Sequence, residues 1–156
     1  MAMNEIAEMS PEKVKVAGVF CNQFGFQTNE GPTESLQILR TIRPGNGFEP
    51  KMDLYSKVNV NGATAHPLFK YMRNQIKIPC DPPGDSKDNG CDDSDLIIGP
   101  RSAFDGVTIS AWSPVTRSDV AWNFEKFLFD KEGRLVKRYS RYYSTASIKE
   151  DIKKLM

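Results

Sequence analysis

The sequence predicts a single α/β domain that spans residues 1–156. A length of 156 residues suits one hydrophobic core rather than two. A short apolar run at 14–20 is followed by a polar loop and an amphipathic helix at 33–42, which together form a strand–loop–helix unit. Nearer the C-terminus, two strand-like runs are separated by a turn that contains glycine. These observations favour strands and helices that alternate along the chain.

The first elements alternate between helix and strand. Residues 3–9 carry apolar side chains at helical spacing, but no capping residue precedes them, so we expect the tail of a longer helix. The mostly apolar run at 14–20 is typical of a parallel central strand buried on both faces. In the helix at 33–42, one face is apolar and consists of Leu36, Leu39 and Ile42.

The middle of the chain predicts a strand, a helix and a long loop. Residues 54–60 form an extended run that closes on the turn pair Asn61-Gly62. Pro67 suits the first turn of a helix that carries Leu68, Phe69 and Met72. Residues 79–117 hold five of the ten prolines and most of an acidic cluster, so we expect a long irregular segment there.

The C-terminal part predicts a hairpin and a final helix. The runs at 123–129 and 134–139 should pair antiparallel, because the four residues between them end in Gly133. Ser147 and Glu150 have the spacing of a capping box at the start of the last helix.

Composition and charge exclude several classes of protein. Hydrophobic residues form 39% and charged residues 26% of the chain, which excludes disordered and collagen-like sequences. No apolar run approaches the roughly 18 residues of a membrane-spanning helix, so we expect no membrane association. Because 21 Lys and Arg oppose 20 Asp and Glu, we expect no nucleic acid partner. Three cysteines and no glycosylation sequon favour a reducing compartment and a cytoplasmic location.

Two short segments, residues 21–27 and 121–124, are denser in polar groups than their apolar surroundings require. The first follows the predicted parallel strand, where a rigid sheet positions ligand-binding residues. Amides and an indole offer uncharged N–H donors, which suit the stabilisation of a thiolate or selenolate. On composition alone, backbone capping by Gln27 and Asn123 and core filling by Trp122 explain these residues better.

Several longer motifs, in order along the chain, resemble those of the glutathione peroxidase family. Residues 20–27 resemble F-P-C-N-Q-F-G-x-Q, and residues 122–128 resemble W-N-F-x-K-F-L. Between them, residues 60–69 match V-N-G-x-x-A-H-P-L-F, and residues 138–140 match R-Y-S. The resemblance covers nearly the whole chain. It implies a thioredoxin-like fold and the reduction of hydroperoxides.

The resemblance implies that Gln27, Trp122 and Asn123 are catalytic donors to the ionised peroxidatic chalcogen. The peroxidatic selenocysteine or cysteine has no match here, since the family carries it just before the helix that residues 3–9 resemble. Cys21 is no substitute, because the family carries that cysteine separately. We therefore expect an N-terminally truncated chain that lacks the first strand and the start of the first helix, and is inactive alone. No cofactor is expected, although the complete protein should contain selenocysteine.

Residues 43–48 resemble the R-P-G-G-G-F loop of the classical, tetrameric branch, which uses glutathione. The same resemblance implies a homotetramer and three candidate glutathione-binding residues, whose guanidinium groups suit carboxylates: Arg43, Arg138 and Arg141. Residues 131–156 contain eight Lys or Arg against three Asp or Glu, which fits an anionic substrate. Tyr142 departs from the branch, which often has a second arginine there.

The predicted function is the reduction of hydrogen peroxide and small organic hydroperoxides with glutathione. The alternative belongs to another class: a thioredoxin-like binding or structural subunit without turnover. No metal site is predicted, because the calcium-loop spacing that Asp85 begins has Lys87 and Leu96 at two positions that need oxygen ligands. Cysteine and histidine likewise lack paired zinc spacing.

Overall fold

The computed structural model describes residues 2–80 and 112–156. Its helices are α1 (Ala2–Met9), α2 (Pro32–Thr41), α3 (Pro67–Gln75) and α4 (Ile148–Leu155). Its strands are β1 (Ala17–Val19), β2 (Asp53–Tyr55), β3 (Lys126–Phe129) and β4 (Leu135–Tyr139). The α/β class is confirmed. Most of the predicted long loop and its acidic cluster lie outside the described residues.

The strands form two pairs. β1 runs parallel to β2, with Ala17 opposite Asp53, and β3 runs antiparallel to β4, with Lys126 opposite Tyr139. Both directions of pairing were predicted. The prediction of a central strand buried on both faces is wrong within the described residues: β1 pairs with β2 alone, Ala17 is exposed, and Gly18 and Val19 are only half-buried.

β3 begins three residues later than predicted. Phe124 has φ +67°, a left-handed conformation that a strand cannot contain. The Ala121 N–H donates to Glu125 Oε1 at 2.5 Å, which closes a local turn. Asn123 therefore lies on a loop and not in a strand that pairs with β4. From this loop its side chain can contact another loop.

Two of the predicted helices differ in detail. The predicted apolar face of α2 is covered only in part: Leu36 is 45% exposed, Ile42, just after the helix, is 73% exposed, and Leu39 is half-buried. Ser35 is the buried residue of this helix.

The capping box of α4 is also wrong. Ser147 has helical backbone angles and makes no side-chain cap. Its backbone N–H donates to the Ser144 carbonyl at 3.1 Å and is therefore not available to the Glu150 side chain.

The core has two clusters in the described part of the chain. The first joins residues from the loop after β1, from α3 and from the segments that precede α3 and β3: Phe24, Val60, Phe69, Met72, Trp112 and Val120. The second packs α4 against α1 and β4 through Ile6, Tyr139, Tyr143, Ile148 and Ile152. The loops that carry residues 21–27 and 119–125 meet over the first cluster.

Two buried amide side chains, which we call the amide bridge, connect these loops. Gln23 Oε1 accepts from the backbone N–H groups of Val60 and Asn61 at 2.8 and 2.9 Å, and Gln23 Nε2 donates to the Asn61 carbonyl at 3.2 Å. Asn61 continues the bridge, since its Nδ2 donates to the Val120 carbonyl at 2.8 Å and its Oδ1 accepts from the Val120 N–H at 2.9 Å. Three separate segments are thereby fixed to one another.

Two buried ion pairs, Arg138–Glu125 and Arg73–Asp119, hold the same region. Arg138 Nε donates to Glu125 Oε2 at 2.7 Å, and both side chains are at most 1% exposed. Arg73 donates to the Asp119 carboxylate, which also accepts from the Trp112 indole N–H at 2.8 Å. The remaining Arg138 donors bind the carbonyls of Ile76, Lys77, Ser118 and Asp119.

Candidate active site

Gln27 and Asn123 lie together although 96 positions separate them in the sequence. Asn123 Nδ2 donates to Gln27 Oε1 at 3.1 Å. Gln27 is exposed and Asn123 is half-buried, so a ligand can reach both side chains. This hydrogen bond joins the two polar segments that the sequence singles out.

Trp122 lies beside this pair. Its ring packs on Phe24, with ring centroids 5.7 Å apart. Gly25, at φ +67°, lies next to the side chains of both Gln27 and Trp122. A Cβ atom at this position would be 3.6 Å from Gln27 Cγ and 3.7 Å from Trp122 Cη2. The structure thus brings together all three residues predicted as catalytic donors.

These three side chains, which we call the donor trio, present neutral N–H groups. Within residues 2–80 and 112–156, neither Gln27 Nε2 nor Trp122 Nε1 has a hydrogen-bond partner. The bond to Asn123 uses the Gln27 carbonyl and leaves its amide nitrogen available. Such donors stabilise an anion without the desolvation cost of a buried charge.

Sequence reasoning missed the residues that position the donor trio. Gln23 is four residues before Gln27, and Val120 is two residues before Trp122, so the amide bridge fixes the bases of both loops. Gln23 is 6% and Asn61 0% exposed. Neither had a periodic signal, although both lie within motifs quoted for the family resemblance.

Arg141 is in contact with the donor trio. Its guanidinium lies 5.9 Å from the centroid of the Trp122 ring and 4.4 Å from that of Tyr142, and it donates to the Tyr142 hydroxyl. Lys126 Nζ holds the loop by donating to the carbonyls of Ser140 at 2.9 Å and Tyr143 at 2.6 Å. This places a cation at the edge of the candidate site.

Most of the basic C-terminal segment is already paired. Its ion pairs within the described residues are Lys131–Glu132, Arg134–Asp130, Arg134–Glu132, Lys137–Asp151, Arg138–Glu125, Lys149–Glu5, Lys153–Glu150 and Lys154–Asp151. Arg141 is the one Lys or Arg of residues 131–156 with no acidic partner in that part of the chain. The predicted attraction for an anion therefore rests on Arg141 rather than on the whole segment.

The other two candidate arginines occupy different environments. Arg138 is 0% exposed and its donors are used by Glu125 and backbone carbonyls. A glutathione carboxylate cannot reach it, so we correct its assignment from substrate binding to the buried ion pairs. Arg43 lies exposed just after α2, where its backbone N–H donates to the Ile38 carbonyl at 2.9 Å.

Cys21 is a free, half-buried thiol beside the amide bridge. Burial raises its pKa, and hydrogen bonds from backbone N–H groups offset only part of that effect. The Gln23 N–H donates to Cys21 Sγ at 3.4 Å. A thiol with a raised pKa is a poor nucleophile near neutral pH. This environment fits the interpretation that Cys21 does not replace the peroxidatic residue.

Comparison with known proteins decides the family. The family model described as glutathione peroxidase matches residues 2–73. Glutathione peroxidase 1 of Macaca fuscata fuscata is 43% identical over 155 residues, which cover 99% of this chain and 69% of the relative. The chain belongs to the glutathione peroxidase family. Glutathione peroxidase 2 of Homo sapiens is 42% identical over 99% of this chain and 72% of that protein.

The fold of this glutathione peroxidase family member agrees with a solved structure. The crystal structure of Trgpx in apo form aligns with a TM-score of 0.52 and 21% identity, covering 99% of this chain and 65% of that one. The thioredoxin-like α/β fold predicted from the resemblance is confirmed. Glutathione peroxidases are oxidoreductases that act on peroxides and need no cofactor besides the glutathione substrate.

The described residues contain neither a membrane-length apolar helix nor a group of three or more metal-ligating side chains. No helix there is long and apolar enough to cross a membrane. No cluster of His, Cys, Asp and Glu in the same residues could hold a metal ion.

Proposed function

We propose that this chain forms the donor and thiol-binding parts of a glutathione peroxidase site that reduces hydrogen peroxide and organic hydroperoxides. The observation that carries the proposal is the Asn123–Gln27 hydrogen bond, with Trp122 packed beside it. It unites residues of two family motifs in an accessible position. No residue of this sequence matches the peroxidatic position, so the proposal concerns the residues that surround it.

The donor trio would act on the negative charge of the peroxidatic chalcogen. Neutral N–H donors favour its ionised form, which attacks a peroxide oxygen. A chalcogen–oxygen bond forms as the O–O bond breaks, and the second oxygen takes up the proton that the chalcogen lost and leaves as water or an alcohol. Because Asn123 and Gln27 hold each other, the donors are already oriented before the substrate binds. Pre-orientation of donors lowers the cost of stabilising charge during the reaction.

Arg141 would bind glutathione beside the donor trio. Glutathione carries two carboxylates, and a guanidinium can donate two parallel hydrogen bonds to one carboxylate. Arg141 lies against Trp122 and lacks an acidic partner in the described part of the chain. Arg43 remains a second candidate because it is exposed.

A chimaera tests this function. The N-terminal segment of a curated relative, with cysteine at the peroxidatic position, is joined ahead of the region that aligns with this chain. Loss of one oriented donor should make Asn123→Ala slow the peroxide step about 10²-fold. Arg141→Glu should instead lower kcat/KM for glutathione and leave the rate of the peroxide step unchanged. Stopped-flow and steady-state kinetics, with each substrate varied, separate the two steps.

Matched variants control for general damage. Asn74→Ala, on the exposed side of α3, and Arg40→Glu, on the exposed side of α2, should leave both steps unchanged. A folded chimaera without peroxidase activity would instead support the alternative of a thioredoxin-like subunit without turnover. Equal peroxide rates for Asn123→Ala and the parent would exclude Asn123 as a donor.

We also infer a homotetramer in the cytoplasm. The support for the tetramer is the resemblance of residues 43–48 to the loop of the tetrameric branch, and the support for the location is the lack of a glycosylation sequon, although Cys80 is disulfide-bonded. Light scattering of the purified chimaera and fractionation of cells that express it test the two inferences. A monomer, or a protein confined to another compartment, would contradict them.

A further inference from the structure

Arg141 lies between two aromatic rings of different exposure. Trp122 is half-buried beside the donor trio, whereas Tyr142 is 42% exposed. The guanidinium is nearer to Tyr142, at 4.4 Å from its ring centroid against 5.9 Å for Trp122. The Tyr142 hydroxyl also accepts a hydrogen bond from Arg141. The tyrosine therefore makes two kinds of contact with the same cation.

The backbone that carries this contact is restrained. Lys126 Nζ donates to carbonyls on both sides of Arg141, those of Ser140 and Tyr143. The Tyr142 N–H donates to Ser140 Oγ at 3.1 Å. These hydrogen bonds fix the backbone of Tyr142. Its ring can therefore restrain the neighbouring Arg141 side chain.

Ring contacts leave part of a guanidinium available. A guanidinium stacks through its planar face, while its five N–H donors lie along the edge. The Tyr142 hydroxyl takes one donor. Arg141 Nε is buried and has no hydrogen-bond partner. Of the four N–H groups on the terminal nitrogens, only one has a partner in the described part of the chain, so two others can form the paired contact that a carboxylate requires.

We propose that Tyr142 is a positioning residue that holds the Arg141 guanidinium over Trp122 and so presents it to a carboxylate of the thiol substrate. The proposal rests on the proposed function. A free arginine has many rotamers and loses their entropy when a ligand binds, whereas an arginine already held by two rings loses less. Tyr142 should therefore strengthen glutathione binding without touching glutathione.

The test uses the full 156-residue chain labelled with ¹⁵N and titrated with glutathione. The Arg141 Nε–H resonance should be shifted upfield by the ring currents and protected from solvent exchange. Glutathione should perturb this resonance and the Trp122 indole N–H. Trp112 provides an internal reference, because its indole N–H is buried and donates to Asp119 at 2.8 Å.

Three variants separate the ring from the hydroxyl and from general effects. Tyr142→Ala should remove the upfield shift and raise the Kd of glutathione about three- to tenfold. Tyr142→Phe keeps the ring, so the Kd should stay within about twofold of the parent. Tyr71→Ala removes a tyrosine of similar exposure, 43%, on α3 and should change neither quantity.

The outcomes distinguish this proposal from the proposed function. An unchanged Arg141 resonance in Tyr142→Ala would overturn the positioning role. So would a lost upfield shift with an unchanged Kd, because Tyr142 would then order the loop without assisting binding. If the parent chain binds no glutathione but Tyr142→Ala still releases Arg141, the positioning contact stands and the proposed thiol site fails.

Discussion

The donor trio and the buried ion pairs are two neighbouring regions that use opposite chemistry. The trio offers neutral amide and indole groups that are partly exposed, whereas the ion pairs hold full charges that are almost completely buried. Both depend on residues 119–125. In these two regions, full charges lie only where the loops are fixed, alongside the neutral amide bridge, and the accessible positions carry neutral donors.

This division follows from the cost of burial. A buried charge is tolerated only when its partners are complete, so Arg138 and Glu125 have little freedom to rearrange. A partly exposed amide loses one hydrogen bond at small cost because water replaces it. The trio can therefore exchange partners during a reaction while the ion pairs stay fixed.

The largest effect should come from breaking a buried pair. Arg138→Ala leaves the Glu125 carboxylate, which is 1% exposed, without its partner, and should lower the free energy of unfolding by about 3–5 kcal/mol. Arg141→Ala, which removes a cation without an acidic partner, should change it by less than about 1 kcal/mol. Urea unfolding followed by circular dichroism measures both. Equal losses would contradict the division between fixed and accessible arginines.

An intermediate effect is expected for the amide bridge. Gln23→Ala leaves the buried N–H groups of Val60 and Asn61 without their acceptor, which should cost about 2–3 kcal/mol of unfolding free energy. Gln37→Ala, on the exposed side of α2, is the matched control and should be nearly neutral. Hydrogen exchange should accelerate at Val60 and Asn61 first. Unchanged exchange there would show that the bridge does not hold these loops.

The smallest effect concerns a charge near the surface. Asp151 accepts from Lys137 at 2.7 Å, Lys154 at 2.9 Å and the Tyr139 hydroxyl at 3.0 Å. The hydrogen bond from Lys137, and to a smaller extent that from Lys154, lowers the pKa of Asp151 well below its usual range. A carboxylate with a lowered pKa in the folded state stabilises the fold above its unfolded pKa of about 4 and loses that contribution as the pH falls.

Asp151→Asn should therefore lower the unfolding free energy at pH 7 by no more than about 1 kcal/mol, because the site is partly solvated. The difference from the parent should shrink below pH 4. Thermal melts at pH 7 and pH 3 measure it, and Glu150→Gln, on the same helix, is the more exposed control. A difference that grows on acidification would mean that folding raises the pKa of Asp151 instead of lowering it.

The local sequence pattern predicted the positions of the helices and strands better than it predicted which of their faces are buried. The helix at 33–42 was placed within one residue, yet two of the three residues of its apolar face, Leu36 and Ile42, are exposed, because periodicity does not say which partner covers a face. The hairpin was predicted from Gly133 and the flanking strands. The predicted start of its first strand was wrong, because nothing in the sequence indicates the left-handed backbone conformation of Phe124.

The candidate site could be predicted only through motifs. Gln27 and Asn123 carry no local signal that they meet, because their contact depends on the packing of distant loops. Arg138 shows the limit of the same resemblance. A guanidinium suits a substrate carboxylate and the Glu125 carboxylate equally well, and burial alone separates the two roles.

The 96-residue separation between Gln27 and Asn123 also determines when the site can form. During synthesis the loop that carries Gln27 emerges long before Asn123 exists, so every earlier intermediate lacks the pair. Closing so long a segment costs chain entropy that local helices do not pay. The Asn123–Gln27 contact should thus be among the last to form, and its appearance during refolding would report completion of the fold.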